Sequence, residues 1–246
     1  MSIYEDLDDI PMAEQERFLA LARHAKYPAD SWLLGKQNGV PLIRLITFGS
    51  VEVSAVCDGR NIPVLHYVAN ESLGIRALMH TNKSPELVWR TMSAMTCLEF
   101  DGRPLRVLLN EPNSRLRAMF EHAAHVRELE IQVAVKPLFQ LLPLEDRNQL
   151  FKHSIPLALT PGESLPACDR NTLYYVMKGA VQHVVDSQIV KARDDLLWCD
   201  GCSHWRAQSW AELLAFPEPQ MSRVMQAYPD FAARLMVSPE HEAITR

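Results

Sequence analysis

No run among the 246 residues is apolar for long enough to cross a bilayer as a helix, and the opening MSIYEDLDDI is acidic where a secretory leader would be basic. These two absences point to a soluble protein of the cytoplasm without membrane insertion. An excess of positive charge is missing as well: 25 Lys and Arg face 30 Asp and Glu, a net charge of −5. That balance argues against non-specific nucleic-acid binding, which depends on neutralising phosphates. Cysteine is scarce and irregular, and five of them fit free thiols in a reducing compartment better than a disulfide framework. None of GxSxG, the P-loop, GxGxxG or HExxH occurs, and no trio of residues suggests nucleophile, base and orienting group. No enzyme and no cofactor is expected. With 48% hydrophobic residues and no low-complexity linker, the chain has material for two domains with a core each.

What is present is repetition. WRTMSAMTCLEF (89–100) returns as WRAQSWAELLAF (205–216), 116 residues on. Its flanking punctuation returns in the same order: PMAEQERF at 11 as PLEDRNQL at 143, PADSW at 28 as PGESL at 161, GSVEV at 49 as GAVQH at 179. The offset falls from close to 133, through 130, to 116, so the second copy lacks about fourteen residues between its Gly turn and its Trp-Arg strand.

Hydrophobic periodicity predicts a helix over 9–25, with Phe18, Leu21, Ala22 and Ala25 on one face, then strands over 42–56, 62–69 and 88–100. A long helix follows over 111–131. Leu116, Phe120, Ala123, Val126 and Leu129 form its apolar stripe, expected to pack on the second unit or on a partner, and Arg127 and Glu128 belong to its polar cover. The second unit repeats the plan: a helix over 144–152, strands over 172–185 and 205–216, and short helices over 220–228 and 229–236.

A helix, a roll of short strands with an xGxV turn, a small-Gly-x-x-Ala-Leu segment, an Arg-small-x-Ser strand and a closing helix together resemble the cyclic-nucleotide-binding domain family. Catabolite-activator-like regulators and the regulatory subunit of protein kinase A belong to it. The resemblance runs over about 10–130 and again over about 137–237. It implies an α+β, mostly β fold: two antiparallel, jelly-roll-like β-rolls with flanking helices. The first would span 1–132 and the second, with a shortened cassette, 133–246.

In that family a Gly-Glu-x-Ala-Leu turn and a following Arg hold the phosphate and ribose. The corresponding stretch here is LGIRALMHTNKSPELVWRT. Gly74, Ala77 and Leu78 fit the turn, but Ile75 stands at the ribose-binding Glu position, and Pro85, followed by Glu86, at the phosphate Arg position. One lost charge-assisted bond costs about 1.5–3 kcal/mol, so standard cyclic AMP binding is not expected. In the second copy DDLLWCDGCSHWRA puts Gly201 near the Arg position among acidic residues, and no phosphate site is expected.

The resemblance thus implies a regulatory protein with degenerate ligand sites and a protein partner. The alternative is a sensor of another cyclic nucleotide or dinucleotide, such as c-di-GMP, with Gly74, Arg76, Ala77, Leu78 and Arg90 as its ligand residues. Against the clamp reading, Arg76 is a solvated residue on a helical turn and Arg90 points out of a strand. Trp89 and His80 could stack on a ligand, or Trp89 could be core. CDGC (199–202) reads as a loop pair, since no second pair completes four zinc ligands. His122 and His125 read as surface histidines, and no metal is expected. About ten residues follow the second unit, too few for a DNA-binding helix-turn-helix.

Overall fold

The computed structural model describes residues 7, 9–79, 85–166, 172–185, 190–193, 195–199 and 204–236. By its internal contacts the chain divides into two units, Met1–Ile131 and Gln132–Arg246. The fold is α+β, with antiparallel sheets and flanking helices in each unit. Among the described residues no helix is long and apolar enough to cross a membrane.

In the first unit, helix α1 (Met12–Ala20) starts after Pro11, a residue whose missing N–H goes unused at a helix start. Seven strands follow: β1 (Arg23–Tyr27), β2 (Trp32–Leu33), β3 (Lys36–Gln37), β4 (Val40–Phe48), β5 (Val51–Cys57), β6 (Arg60–Tyr67) and β7 (Ser72–Leu73). Then come the short helix α2 (Ile75–Met79), β8 (Glu86–Thr91) and β9 (Met95–Asp101), and helices α3 (Gly102–Leu109) and α4 (Arg115–Ala134). One sheet has the order β1-β9-β4-β3 with β7 paired on β4, and the other β2-β8-β5-β6. Phe18 of α1 stacks on Phe100 of β9 at 4.5 Å and meets Phe120 of α4 edge-on at 5.7 Å, which anchors both helices on the roll.

The second unit has helix α5 (Leu144–Lys152), strands β10 (Ile155–Leu159), β11 (Thr172–Lys178), β12 (Ala180–His183), β13 (Val190–Ala192), β14 (Asp195–Cys199), β15 (Trp205–Ala207) and β16 (Ala211–Phe216), and helices α6 (Glu218–Ala227) and α7 (Pro229–Met236). Its sheets run β10-β16-β11-β14 and β13-β12-β15.

The strand registers of the two units correspond residue for residue. Arg23 faces Glu99 as Ile155 faces Ala215, Ile43 faces Phe100 as Leu173 faces Phe216, and Val53 faces Trp89 as His183 faces Trp205. Both Gly turns are pressed on backbone. A Cβ on Gly49 (φ +89°) would lie 2.3 Å from the Ala94 carbonyl oxygen, and one on Gly179 (φ +71°) 2.1 Å from that of Trp210. Next to each glycine a serine hydroxyl accepts a backbone N–H at 3.1 Å, Ser93 from Ser50 and Ser209 from Ala180.

The first helix is shorter than the sequence predicts. It ends at Ala20, and Arg23–Tyr27 pairs with β9 instead, because strand pairing there outweighs a weak helical stripe. Residues 88–100 are two strands in different sheets, broken by the turn at 92–94. Helix α3 lies between the strand over 88–100 and the helix over 111–131, where the hydrophobic periodicity predicts no element. Pro104 sits in its first turn, where proline is tolerated, and the Asp101 carboxylate accepts the Arg103 N–H at 2.8 Å. Cys199 is disulfide-bonded, so the free-thiol expectation fails at that position. Cys57 and Cys97 are free.

The first roll holds a polar quartet that the second lacks. Arg44 and Glu99 are both buried and pair at 2.7 Å. Glu99 also accepts the Tyr27 hydroxyl at 2.6 Å and Arg23 Nε at 2.8 Å. Burial pushes the Glu99 carboxyl up, but the bonds from Tyr27 and Arg23 and the charge of Arg44 outweigh it and hold it below its ordinary value. By register, Ile155, Leu159, Tyr174 and Ala215 occupy these places in the second unit.

Two predictions follow from this packing. Gly162 also has positive φ (+86°) but nothing lies within 4 Å of its would-be Cβ. Gly162→Ala therefore costs about 1–2 kcal/mol, the left-handed backbone term alone. Gly179→Ala costs more, because the Trp210 backbone must also move; urea unfolding of both variants checks the order. As for Glu99, its folded pKa is depressed, so its contribution is complete above the unfolded value of about 4.3 and drains as pH falls through the folded one. Thermal unfolding from pH 7 downwards should show an acid-limb loss that Glu99→Gln reduces, and equal slopes would refute the assignment.

Candidate functional site

Gly74 sets the geometry of the site. Its φ of +85° and the Leu42 carbonyl oxygen, 2.1 Å from a would-be Cβ, admit only glycine there. The chain turns at this point from β7 into α2, whose first turn is closed by the N–H groups of Ala77 and Leu78 donating to the Gly74 carbonyl at 3.0 and 3.2 Å. Leu78 and Ile75 point into the core, while Arg76 faces a cavity of about 610 Å³. Leu34, Leu87, Trp89 and Ile131 give this cavity apolar walls, and Lys36, Arg76, Arg106, Arg127 and Glu86 bring charge to it. Trp89 lies against Gly35, whose hydrogen side leaves room for the indole ring alone.

The cations inside are already matched by the protein's own carboxylates. Arg76, only 13% exposed, pairs through Nε with Glu128 of α4 and donates to the Pro85 carbonyl at 2.9 Å. Arg127, also of α4, pairs with Glu71 at 2.8 Å and Glu130 at 2.7 Å, and its guanidinium lies 4.5 Å from the centre of the Tyr67 ring. Burial works against the Arg127 charge, but Glu130, Tyr67 and Glu71 outweigh it and hold the guanidinium above its ordinary range. Burial likewise pushes the Tyr67 phenol up. These pairs tie α4 to the segment from 71 to 76.

The structure brings Gly74, Arg76 and Ala77 to one cavity, with Leu78 beneath them. Arg90 does not join them. It neighbours cavity-lining Trp89 in β8 and so lies on the other face, 44% exposed, paired with Asp30 at 2.8 Å and 5.9 Å from the centre of the Trp32 ring. Arg76 is no solvated residue, and of Arg127 and Glu128, read from the sequence as polar cover of the long helix, Glu128 is buried and Arg127 largely so, each ion-paired with another segment. Helical period alone cannot distinguish a charge facing water from one facing another charge. Of the apolar stripe, Leu116, Phe120 and Ala123 are buried in the core of the first unit, and Val126 and Leu129 are buried as well. His122 is exposed, and no metal-ligating cluster exists among the described residues. His80, Gly201 and Cys202 lie outside the described residues.

In the second unit the equivalent stretch is short. Leu73 faces Arg44 as Leu197 faces Tyr174, so the offset is 130 at the Gly turn, 124 at these leucines and 116 at the tryptophans. Six residues are thus missing before Leu197 and eight after it, where the first unit places α2.

No protein-family model and no curated protein matches the chain. Several solved structures are similar to it. The cAMP-bound PfPKA-R (141–441) shares 12% identity at a TM-score of 0.44, over 92% of this chain and 81% of that one. The regulatory domain of Toxoplasma gondii PKA with cAMP shares 12% at 0.40, over 92% and 90%. The c-di-GMP-responsive global regulator CLP of Xanthomonas campestris shares 20% at 0.41, over 50% and 60%.

The two arginine environments differ in what they contribute. Removing a buried partner strands the other charge, so Arg127→Met, which strands Glu71 and Glu130, should cost about 3–5 kcal/mol. Arg90→Ala removes an exposed pair and should cost about 1 kcal/mol or less. Chemical denaturation of the two variants tests this, and equal costs would contradict it.

Proposed function

We propose that this chain is a non-catalytic regulatory protein of the cytoplasm, built from two degenerate cyclic-nucleotide-binding-like domains in tandem and acting on a protein partner. The boundary between the domains falls within the last turns of α4. The observation that carries this reading is the pairing of Arg76 with Glu128: the cation best placed to meet a ligand phosphate is held by the protein's own carboxylate. Ile75 is buried where the family resemblance puts the ribose acceptor, and Pro85 offers only its carbonyl where that resemblance puts the phosphate Arg. The second domain is eight residues shorter over the stretch in which the first places α2. The recurring registers and Gly-Ser contacts support the tandem reading. Arg76 and Arg90, facing different sides of β8, do not support a two-arginine clamp for c-di-GMP.

Calorimetric titration with cyclic AMP, cyclic GMP and c-di-GMP, in one buffer at one salt concentration, tests the proposal. The expected result is no heat of binding at micromolar ligand. Saturable micromolar binding of any of the three would overturn it.

A further inference from the structure

Helix α3 shows solvent a face that its own stability does not call for. Gly102, Leu105, Leu108 and Leu109 are buried, while Arg103, Arg106, Val107 and Asn110 are exposed, Val107 to 70%. Arg103 stands in the first turn, against the helix dipole, and Arg106, one turn further along, repels it. Among the described residues neither side chain has a carboxylate partner. Arg106 donates to the Leu78 carbonyl at 3.4 Å, and the carboxylate nearest in the chain, Asp101, accepts the Arg103 backbone N–H. Residues 80–84, which follow Leu78 closely and lie outside the described residues, contain no Asp or Glu. The positive surplus continues beyond the helix: from 102 to 117 four arginines stand against one glutamate, Glu111, which Arg17 holds. Arg117 of α4 reaches back to Asn110 at 3.5 Å. All this belongs to a chain whose net charge is −5. Helix α6 follows β16 as α3 follows β9, yet the offset of 116 puts Pro219 and Ser222 where α3 has Arg103 and Arg106.

We propose that the outer face of α3 is a docking site for an acidic segment of a protein partner, whose carboxylates pair with Arg103 and Arg106 and whose apolar side chain covers Val107. This rests on the reading of the chain as one that acts on a protein partner, and it adds the surface and the partner's charge. Arginine suits the role, since its planar guanidinium takes a carboxylate through two parallel hydrogen bonds. A helix of eight residues is about 12 Å long, so the face accepts about four residues of extended chain. Other polyanions fit less well. Nucleic acid is held by neutralising many phosphates, and a lipid surface gains too little from each basic residue for two to hold the chain there.

The test is fluorescence anisotropy of two labelled peptides, Glu-Glu-Leu-Glu-Glu and Gln-Gln-Leu-Gln-Gln, titrated with the full chain at low salt. The Glu peptide should bind at least about tenfold tighter, the loss expected for one charge-assisted pair, and about 0.3 M salt should weaken it. Arg103→Glu should weaken it about tenfold or more, and Val107→Asp about threefold or more. Arg60→Glu, the same charge change on an exposed arginine of β6, should leave it within about twofold. Equal binding of the two peptides overturns the acidic partner, whether or not any variant folds. Equal losses from Arg60→Glu and Arg103→Glu assign the effect to overall charge and overturn the site. Binding of neither peptide overturns the proposal, as does preference for vesicles of equal parts phosphatidylserine and phosphatidylcholine. Both results leave the reading of two degenerate domains standing, which the nucleotide titration decides separately.

Discussion

Both rolls depend on one close approach: a glycine in left-handed conformation whose missing side chain lets its turn rest on the backbone just before the next long strand. Gly49 does this on Ala94 and Gly179 on Trp210. With the glycine seated, the adjacent N–H reaches a serine hydroxyl, and β4 and β11 each take a bulge immediately before it. That bulge shifts the pairing by one residue and fixes which side chains of the long strands face the core. The strict correspondence of register between units follows from this constraint.

Because such constraints are local and tied to residue type, they were legible in the sequence. The glycines, the Trp-Arg-small-x-Ser runs and the prolines before α1 and α5 each mark a place where few residues fit. The shortening of the second copy by about fourteen residues could be read from spacing alone. What could not be read is whatever depends on meeting a distant residue. Ala25 has helical spacing but lies in a strand because β9 is available to it. Arg127 and Glu128 have the pattern of a wet helix face, yet Glu71 and Arg76, more than fifty positions earlier, turn that face into an interior. The cavity's arginines and their partners come from segments that no short motif joins.

Two rolls on one plan solve their interiors differently. Tyr27, Arg44 and Glu99 hold the first by charge and hydrogen bonds, which demand fixed geometry, while Leu159, Tyr174 and Ala215 fill the same positions by contact and volume. An apolar set of this kind tolerates substitution more readily than a buried ion pair, which punishes the loss of either member. The first unit is the less forgiving of the two.

Helix α4 is held by contacts of different character along its length. Phe120 is fixed edge-on against Phe18, and about two turns further along Glu128 grips Arg76. A helix pinned by an aromatic ring at one place and by an ion pair at another cannot slide along its axis. With Arg127, one residue before Glu128, held by Glu71, the loss of either ion pair alone leaves the other in place, so the two act as a double latch between α4 and the segment from 71 to 76.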